Sequence, residues 1–137
     1  MHGAGEAIRP ALLWLDTRAG EQIAAFGNAK VHELTGKPPN TATSWYKLLW
    51  LKQHEPQVLA RTQWVADVLA YLVHRLTGRW RTSYDSVDPM GLLDLRRFEL
   101  AGELLGEAGL TSAQIPEIHA PGDRLGELKS DVAAVSE

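Results

Sequence analysis

The triplet Trp14-x-Asp16-x-Arg18, at the end of "RPALLWLDTRA", carries the side chains best suited to hold a ligand. A dense apolar run, Ala11 to Leu15, breaks off at Asp16-Thr17-Arg18. Along a strand, alternation puts Trp14 and Asp16 on the same face. A Trp ring can stack on the apolar face of a sugar, while a carboxylate and a guanidinium hydrogen-bond its hydroxyls. Polar groups emerging at the C-terminal end of a strand stand where open α/β sheets bind ligands. The pattern equally fits Trp14 as core, Asp16 as a helix N-cap and Arg18 as a local partner. On pattern alone both readings stand.

Other chemistries find no support. His2, His32, His54, His74 and His119 are scattered, and "HELTG" lacks the second His of a zinc-binding H-E-x-x-H helix. Asp85, Asp88 and Asp94 do not alternate as the ligands of a calcium loop must, and read as caps and turns. No metal site is expected. No G-x-x-x-x-G-K-[ST] is present and no G-x-G-x-x-G follows a strand, so no cofactor-binding residue is assigned. There is no G-x-S-x-G elbow, and the absence of cysteine excludes thiolate chemistry and disulfides. No catalytic residue is assigned within the chain.

The elements that must position the triplet follow from composition and periodicity. The 137 residues suffice for one core. A net charge of −3 without a basic block argues against a nucleic-acid partner. No apolar run approaches the ~20 residues of a membrane span, and the N-terminus lacks an apolar signal core. The lack of cysteine fits the cytoplasm. A strand is expected over Ala11–Leu15, then a helix capped by Asp16 or Thr17 and running to about Ala29. "LTGKPPNTATS" reads as a loop. Ser44 is expected to cap "WYKLLWLKQHE", a helix apolar around most of its circumference and so covered on more than one side. Short strands are expected near Gln63–Val65 and in "DRLGEL". Val65, Val68, Leu69, Leu72, Val73 and Leu76 predict an amphipathic helix stopped by Gly78. "RRFELAGELLGEAG" predicts another, Thr111 to Gln114 a capping box, and Ser130 the cap of a last helix.

This inventory leaves one clear strand without a sheet. A buried, unpaired strand would cost ~1–3 kcal/mol for each unsatisfied backbone group, against a typical stability of ~5–15 kcal/mol. A two-stranded ribbon is marginal alone. The strand's main partners are therefore expected outside this chain, in missing sequence or another subunit. A capped helix cut within two turns at the C-terminus points the same way.

Four stretches, in order, resemble the middle and later N-terminal domain of FGGY-family carbohydrate kinases, nearest the xylulokinase-like members. They are "RPALLWLDTRA", "LTGKPPNTATSWYKLLWLKQHEP", "VADVLAYLVHRLTGRWRTSYDSVDPMGLLDL" and "IPEIHAPGDRLGEL". The resemblance implies an α/β fold: a helix-rich piece of an actin-like, RNase H-like ATPase domain with most of its sheet missing. Residues 1–137 would then be part of the sugar-binding N-terminal domain. The whole enzyme would use ATP and Mg²⁺ to phosphorylate a sugar hydroxyl, with a ketopentose such as xylulose as the leading substrate. Trp14 would line the sugar site, and Asp16 and Arg18 match the same motif. Thr43 and Ser44 fall near a loop that approaches the sugar in some members. Asp67 matches a family position and reads as a structural carboxylate, while Trp45, Trp50, Leu69 and Leu72 read as core.

The resemblance also implies absences. The family's phosphate loop should lie upstream, and its catalytic base Asp downstream with most of the adenine site. Met1-His2-Gly3 mimics a substrate-touching Met-His-Gly, but the family has a longer hairpin before its Arg-Pro, so Met1-His2 reads as a chain-start pair. The fragment alone is expected to be inactive. The rival expectation is a truncated relative serving as a non-catalytic protein-interaction module.

Overall fold

The computed structural model describes residues 1–3 and 5–134. Its centre is the helix that the sequence makes apolar all round. After α1 (Gly20–Phe26) and α2 (Ala29–Thr35), α3 (Ser44–His54) runs through the core. Trp45, Tyr46, Leu48, Leu49 and Leu51 of α3 are buried, in one cluster with Val87, Met90, Leu92, Leu93, Leu104 and Leu105. Full burial of one such side chain contributes about 1.5–3 kcal/mol. Trp45 also spends its polar atom well, donating Nε1–H to the Leu104 carbonyl at 2.8 Å.

The elements after α3 supply its cluster neighbours Val87, Leu93, Leu104 and Leu105. They are α4 (Pro56–Ala60), α5 (Val68–Thr77), β1 (Arg81–Ser83), α6 (Tyr84–Val87), β2 (Leu93–Asp94), β3 (Glu99–Leu100), α7 (Gly102–Glu107), β4 (Glu117–His119) and α8 (Ser130–Ala133). β1 and β4 pair in parallel, with Thr82 opposite Ile118, and β2 and β3 form an antiparallel hairpin. The Thr111–Gln114 capping box forms as expected, around a 3₁₀ turn at Ser112–Gln114. Gly78 ends α5 in the left-handed region at φ 76°, where a side chain would be strained.

Several expected elements differ. Residues 11–15 form no strand. Leu13, Trp14 and Leu15 are 65–67% exposed, and the Leu13 carbonyl closes a turn by accepting the Asp16 N–H at 3.0 Å. A lone strand with no neighbour has no ladder to join, so this segment lies over the body as a strap that turns at Leu13–Asp16. The expected helix from Asp16 or Thr17 to Ala29 is broken in two. α1 starts at Gly20 with Ala19 at its N-cap, and Asn28 interrupts it by capping α2 through the Val31 N–H. The N-cap of α3 is Thr43, one residue before Ser44.

The helix expected from Arg96 begins only at Gly102. Asp94 Oδ1 takes the N–H groups of Arg96 and Arg97, and Phe98, at φ 53°, turns the chain into the β2–β3 hairpin. Gln63 and Trp64 make no strand, because both donate their N–H to the Met1 carbonyl. "DRLGEL" forms no strand either; beyond it the Lys129 N–H bonds the Leu76 carbonyl. The N-cap of the last helix is Lys129, one residue before Ser130; its expected continuation over 135–137 lies outside the described residues.

The amphipathic α5 packs on β1 and buries Ala70 and Val73. Its other apolar residues face outward: Val68 is 75% exposed, Leu72 49% and Leu76 41%, although Leu72 was expected in the core. Asp67 fixes the helix start. One carboxylate oxygen accepts the Ala70 N–H and the other the hydroxyl of Thr82, which is fully buried on β1. One side chain therefore caps a helix and ties it to a strand. Asp67→Ala is expected to lower stability by about 1–3 kcal/mol, from the lost cap and the stranded Thr82 hydroxyl. Asp67→Asn, which can still cap, should cost less. Urea denaturation midpoints of the two variants check both statements.

Candidate functional site

The strap over Arg9–Arg18 is held to α3 by a row of polar and aromatic contacts. At one end Arg9 Nε pairs with Glu55, just past the helix, at 2.8 Å. At the other, Arg18 Nε meets both carboxylate oxygens of Asp16, at 2.8 and 2.9 Å, and the Arg18 backbone N–H reaches Asp16 Oδ1 at 3.1 Å. The Arg18 guanidinium carbon lies 4.8 Å from the centre of the Trp50 ring, within cation–π range. Trp50 in turn stacks on His54, with ring centres 4.7 Å apart. Between these ends, Lys47 donates from Nζ to the carbonyls of Leu13, at 2.7 Å, and Trp14, at 3.4 Å.

The three residues singled out from the sequence thus share one short segment, in the following state. Trp14 presents its ring outward, 67% exposed, so it is not part of this chain's core. Asp16 caps no helix; its carboxylate is engaged by Arg18. Arg18 uses only Nε toward Asp16. Thr43 is 5% exposed, held by Asn40 and packed beneath Gly91, where a Cβ would lie 2.5 Å from its methyl group. Met1 is tied to Trp64 through its amino group at 2.6 Å.

Two residues of this site escaped the sequence reading. Trp50 was assigned to the core, and Lys47 was passed over. The available signal was their spacing: i and i+3 on an otherwise apolar helix place an amine and an indole on one stripe.

Charge is set by this packing. The Arg18 guanidinium, hydrogen-bonded to Asp16, holds that carboxyl below the usual aspartate range, and Asp16 raises Arg18 in return. Burial pushes the Lys47 ammonium below the usual lysine value, while the negative Asp16 acts in the opposite sense. Among the described residues no group of three His, Asp or Glu could hold a metal ion. No helix among them is long and apolar enough to cross a membrane.

Comparison with known proteins decides the lineage. The sequence profile of the FGGY family of carbohydrate kinases, N-terminal domain, matches residues 2–136. The chain belongs to the FGGY family of carbohydrate kinases. It is 34% identical over 134 residues to a xylulose kinase of Streptomyces rubiginosus, covering 94% of this chain and 28% of that protein. It is 28% identical over 133 residues to an L-fuculokinase of Salmonella typhi, again 94% of this chain and 28% of the relative. A crystal structure of a xyloylose kinase from Brucella ovis superposes with a TM-score of 0.89 at 27% identity, over 95% of this chain and 27% of that one. The chain therefore spans little more than a quarter of the FGGY kinases it matches. The fold class is the expected one, a helix-rich part of an actin-like α/β kinase domain, although Ala11–Leu15 forms no strand here.

The ion pair gives this FGGY chain a pH signature. A carboxyl held low by its partner contributes stability that is present above the unfolded aspartate pKa, about 3.9, and is lost as pH falls through the lower folded value. Arg18→Gln should raise the Asp16 pKa toward the ordinary value. Carboxyl-carbon NMR titration of Asp16 in both forms measures the change, and added salt should narrow the difference.

Proposed function

We propose that this chain is the sugar-side part of the N-terminal domain of an ATP-dependent FGGY kinase that phosphorylates a sugar hydroxyl, with a ketopentose such as xylulose as the substrate. The observation that carries the reading is the exposed Trp14 on the same short strap as the Asp16–Arg18 pair, held to α3. The ring supplies a flat apolar surface for the C–H face of a sugar. The Asp16 oxygens have acceptor capacity beyond Arg18, and the Arg18 Nη groups have donors to give to hydroxyls. Binding and orientation of the acceptor sugar are what these residues contribute. Phosphoryl transfer depends mainly on such positioning.

ATP and Mg²⁺ belong to the remainder of the kinase in this reading. The absence of a G-x-x-x-x-G-K-[ST] loop from the sequence supports that assignment. The base that accepts the hydroxyl proton is likewise assigned to a segment outside this chain. The exposed Leu13–Leu15 run and the outer face of α5 are the surfaces that the remainder, or a separate subunit, would cover. The proposed location is the cytoplasm, with no role for nucleic acid or membrane. That both curated relatives described above are kinases favours this reading over a non-catalytic interaction module.

Trp14→Ala should raise the KM for D-xylulose about 10-fold or more when the chain acts with the rest of the kinase, with thermal stability unchanged because the ring packs against little. The chain alone should show no ATP-dependent phosphorylation of D-xylulose, and adding the complementary piece should create it. Turnover by the isolated chain, or an unchanged KM in Trp14→Ala, would overturn the proposal.

A further inference from the structure

Lys47 is the least expected residue in α3. It is 3% exposed on a helix whose neighbouring positions, Trp45, Tyr46, Leu48 and Leu49, are buried apolar side chains. An ammonium is rarely buried, and desolvating one is costly unless it finds hydrogen-bond partners. A leucine or methionine would fill the position without that cost. Among the described residues, the Lys47 Nζ partners are the carbonyls of Leu13 and Trp14, and both lie on the strap.

Those two carbonyls belong to the successive peptide planes on either side of the Trp14 Cα. Fixing both planes brackets the two soft dihedrals of Trp14. The Trp14 ring, 67% exposed, has little packing of its own to hold it. Its direction therefore depends on its backbone. The strap lacks the ladder that would normally supply such rigidity, and the same Leu13 carbonyl also closes the turn to Asp16.

We propose that Lys47 is the positioning residue of the candidate sugar site, clamping the Leu13 and Trp14 carbonyls from within the core and so aiming the Trp14 ring and the Asp16 carboxylate. The proposal rests on the sugar-site reading for its functional consequence, but the clamp itself can be tested without it. Asp16 adds a favourable negative charge on the same side, while its hydrogen bonds remain with Arg18. Lys47 touches no reacting atom in this account. It acts through the backbone of its neighbours.

The test uses Lys47→Met, which keeps the apolar stem and removes the donor, and Lys47→Arg, which restores a buried cation. In the chain itself, amide hydrogen exchange is followed at Asp16, whose N–H is bonded to the Leu13 carbonyl. Lys47→Met should speed exchange at Asp16 about 10-fold or more, with α5 protected as before and the melting temperature unchanged or raised. Lys47→Arg should restore much of the protection. In the chain combined with the rest of the kinase, Lys47→Met should raise the KM for D-xylulose about 10-fold and change kcat less than twofold. If Trp14→Ala raises KM while Lys47→Met changes neither KM nor Asp16 exchange, the clamp is wrong and the sugar site stands. If Asp16 exchange quickens but neither variant changes KM, the clamp stands and the sugar site is wrong. Should Lys47→Met not fold, Lys47→Gln carries the same comparison, and unchanged exchange at Asp16 in it would overturn the clamp.

Discussion

The burial of α3 on nearly every side is the constraint from which the rest of the molecule follows. Over Trp45–Leu49 the helix has no solvent face on which to place polar atoms. Trp45 answers by reaching the Leu104 carbonyl, and Lys47 by reaching the strap. These two bonds tie the helix to segments far away in sequence, one on the α7 side and one on the N-terminal side. The core and the candidate site are thus joined through one helix, with Trp45 facing inward and Lys47, Trp50 and nearby Glu55 supporting Arg9–Arg18.

The aromatic residues divide along the same line. Trp45 is core and makes an edge contact with Phe26. Trp64, Trp80 and His74 stack in a second cluster, with Trp80 and His74 ring centres 4.0 Å apart. Gly5 lies so close that a Cβ there would sit 2.6 Å from His74 Nε2. Trp50 serves the strap. Trp14 is the one of the five tryptophans placed among the strongly exposed hydrophobic residues, and it shares the strap with the Asp16–Arg18 pair. An apolar ring beside a charged pair is an arrangement that a folding chain gains little from and a polar, flat-faced ligand can use.

What the sequence disclosed was what local chemistry controls. The Thr111–Gln114 capping box, the stop at Gly78 and the coverage of α3 on more than one side are each written within a few residues, and each is found. What it hid depends on distant partners. The β1–β4 pairing joins Arg81 to Glu117 across 36 residues and leaves only three residues per strand, too few for a periodic signal. The hairpin at Asp94–Glu99 looked helical because its residues are good helix formers; the Asp94 side chain captures two backbone N–H groups and wins. The Ala11–Leu15 run reads as a buried strand because its residues are apolar and consecutive, yet among the described residues no strand pairs with it. The Trp14, Asp16 and Arg18 grouping was legible because it is contiguous. Lys47 was not, since a single lysine on an apolar helix carries no pattern until its partners are known.

Arg18 bears two demands at once. Its Nε donates to both oxygens of the Asp16 carboxylate, and its guanidinium carbon lies over the Trp50 ring. A planar guanidinium meets both because hydrogen bonds run along its edge while stacking uses its faces. A lysine ammonium has neither edge nor face, so it could keep the charge but satisfy one demand at most. The usual tolerance for exchanging one basic residue with another should therefore fail here, and divergence at this position is confined by shape more than by sign of charge.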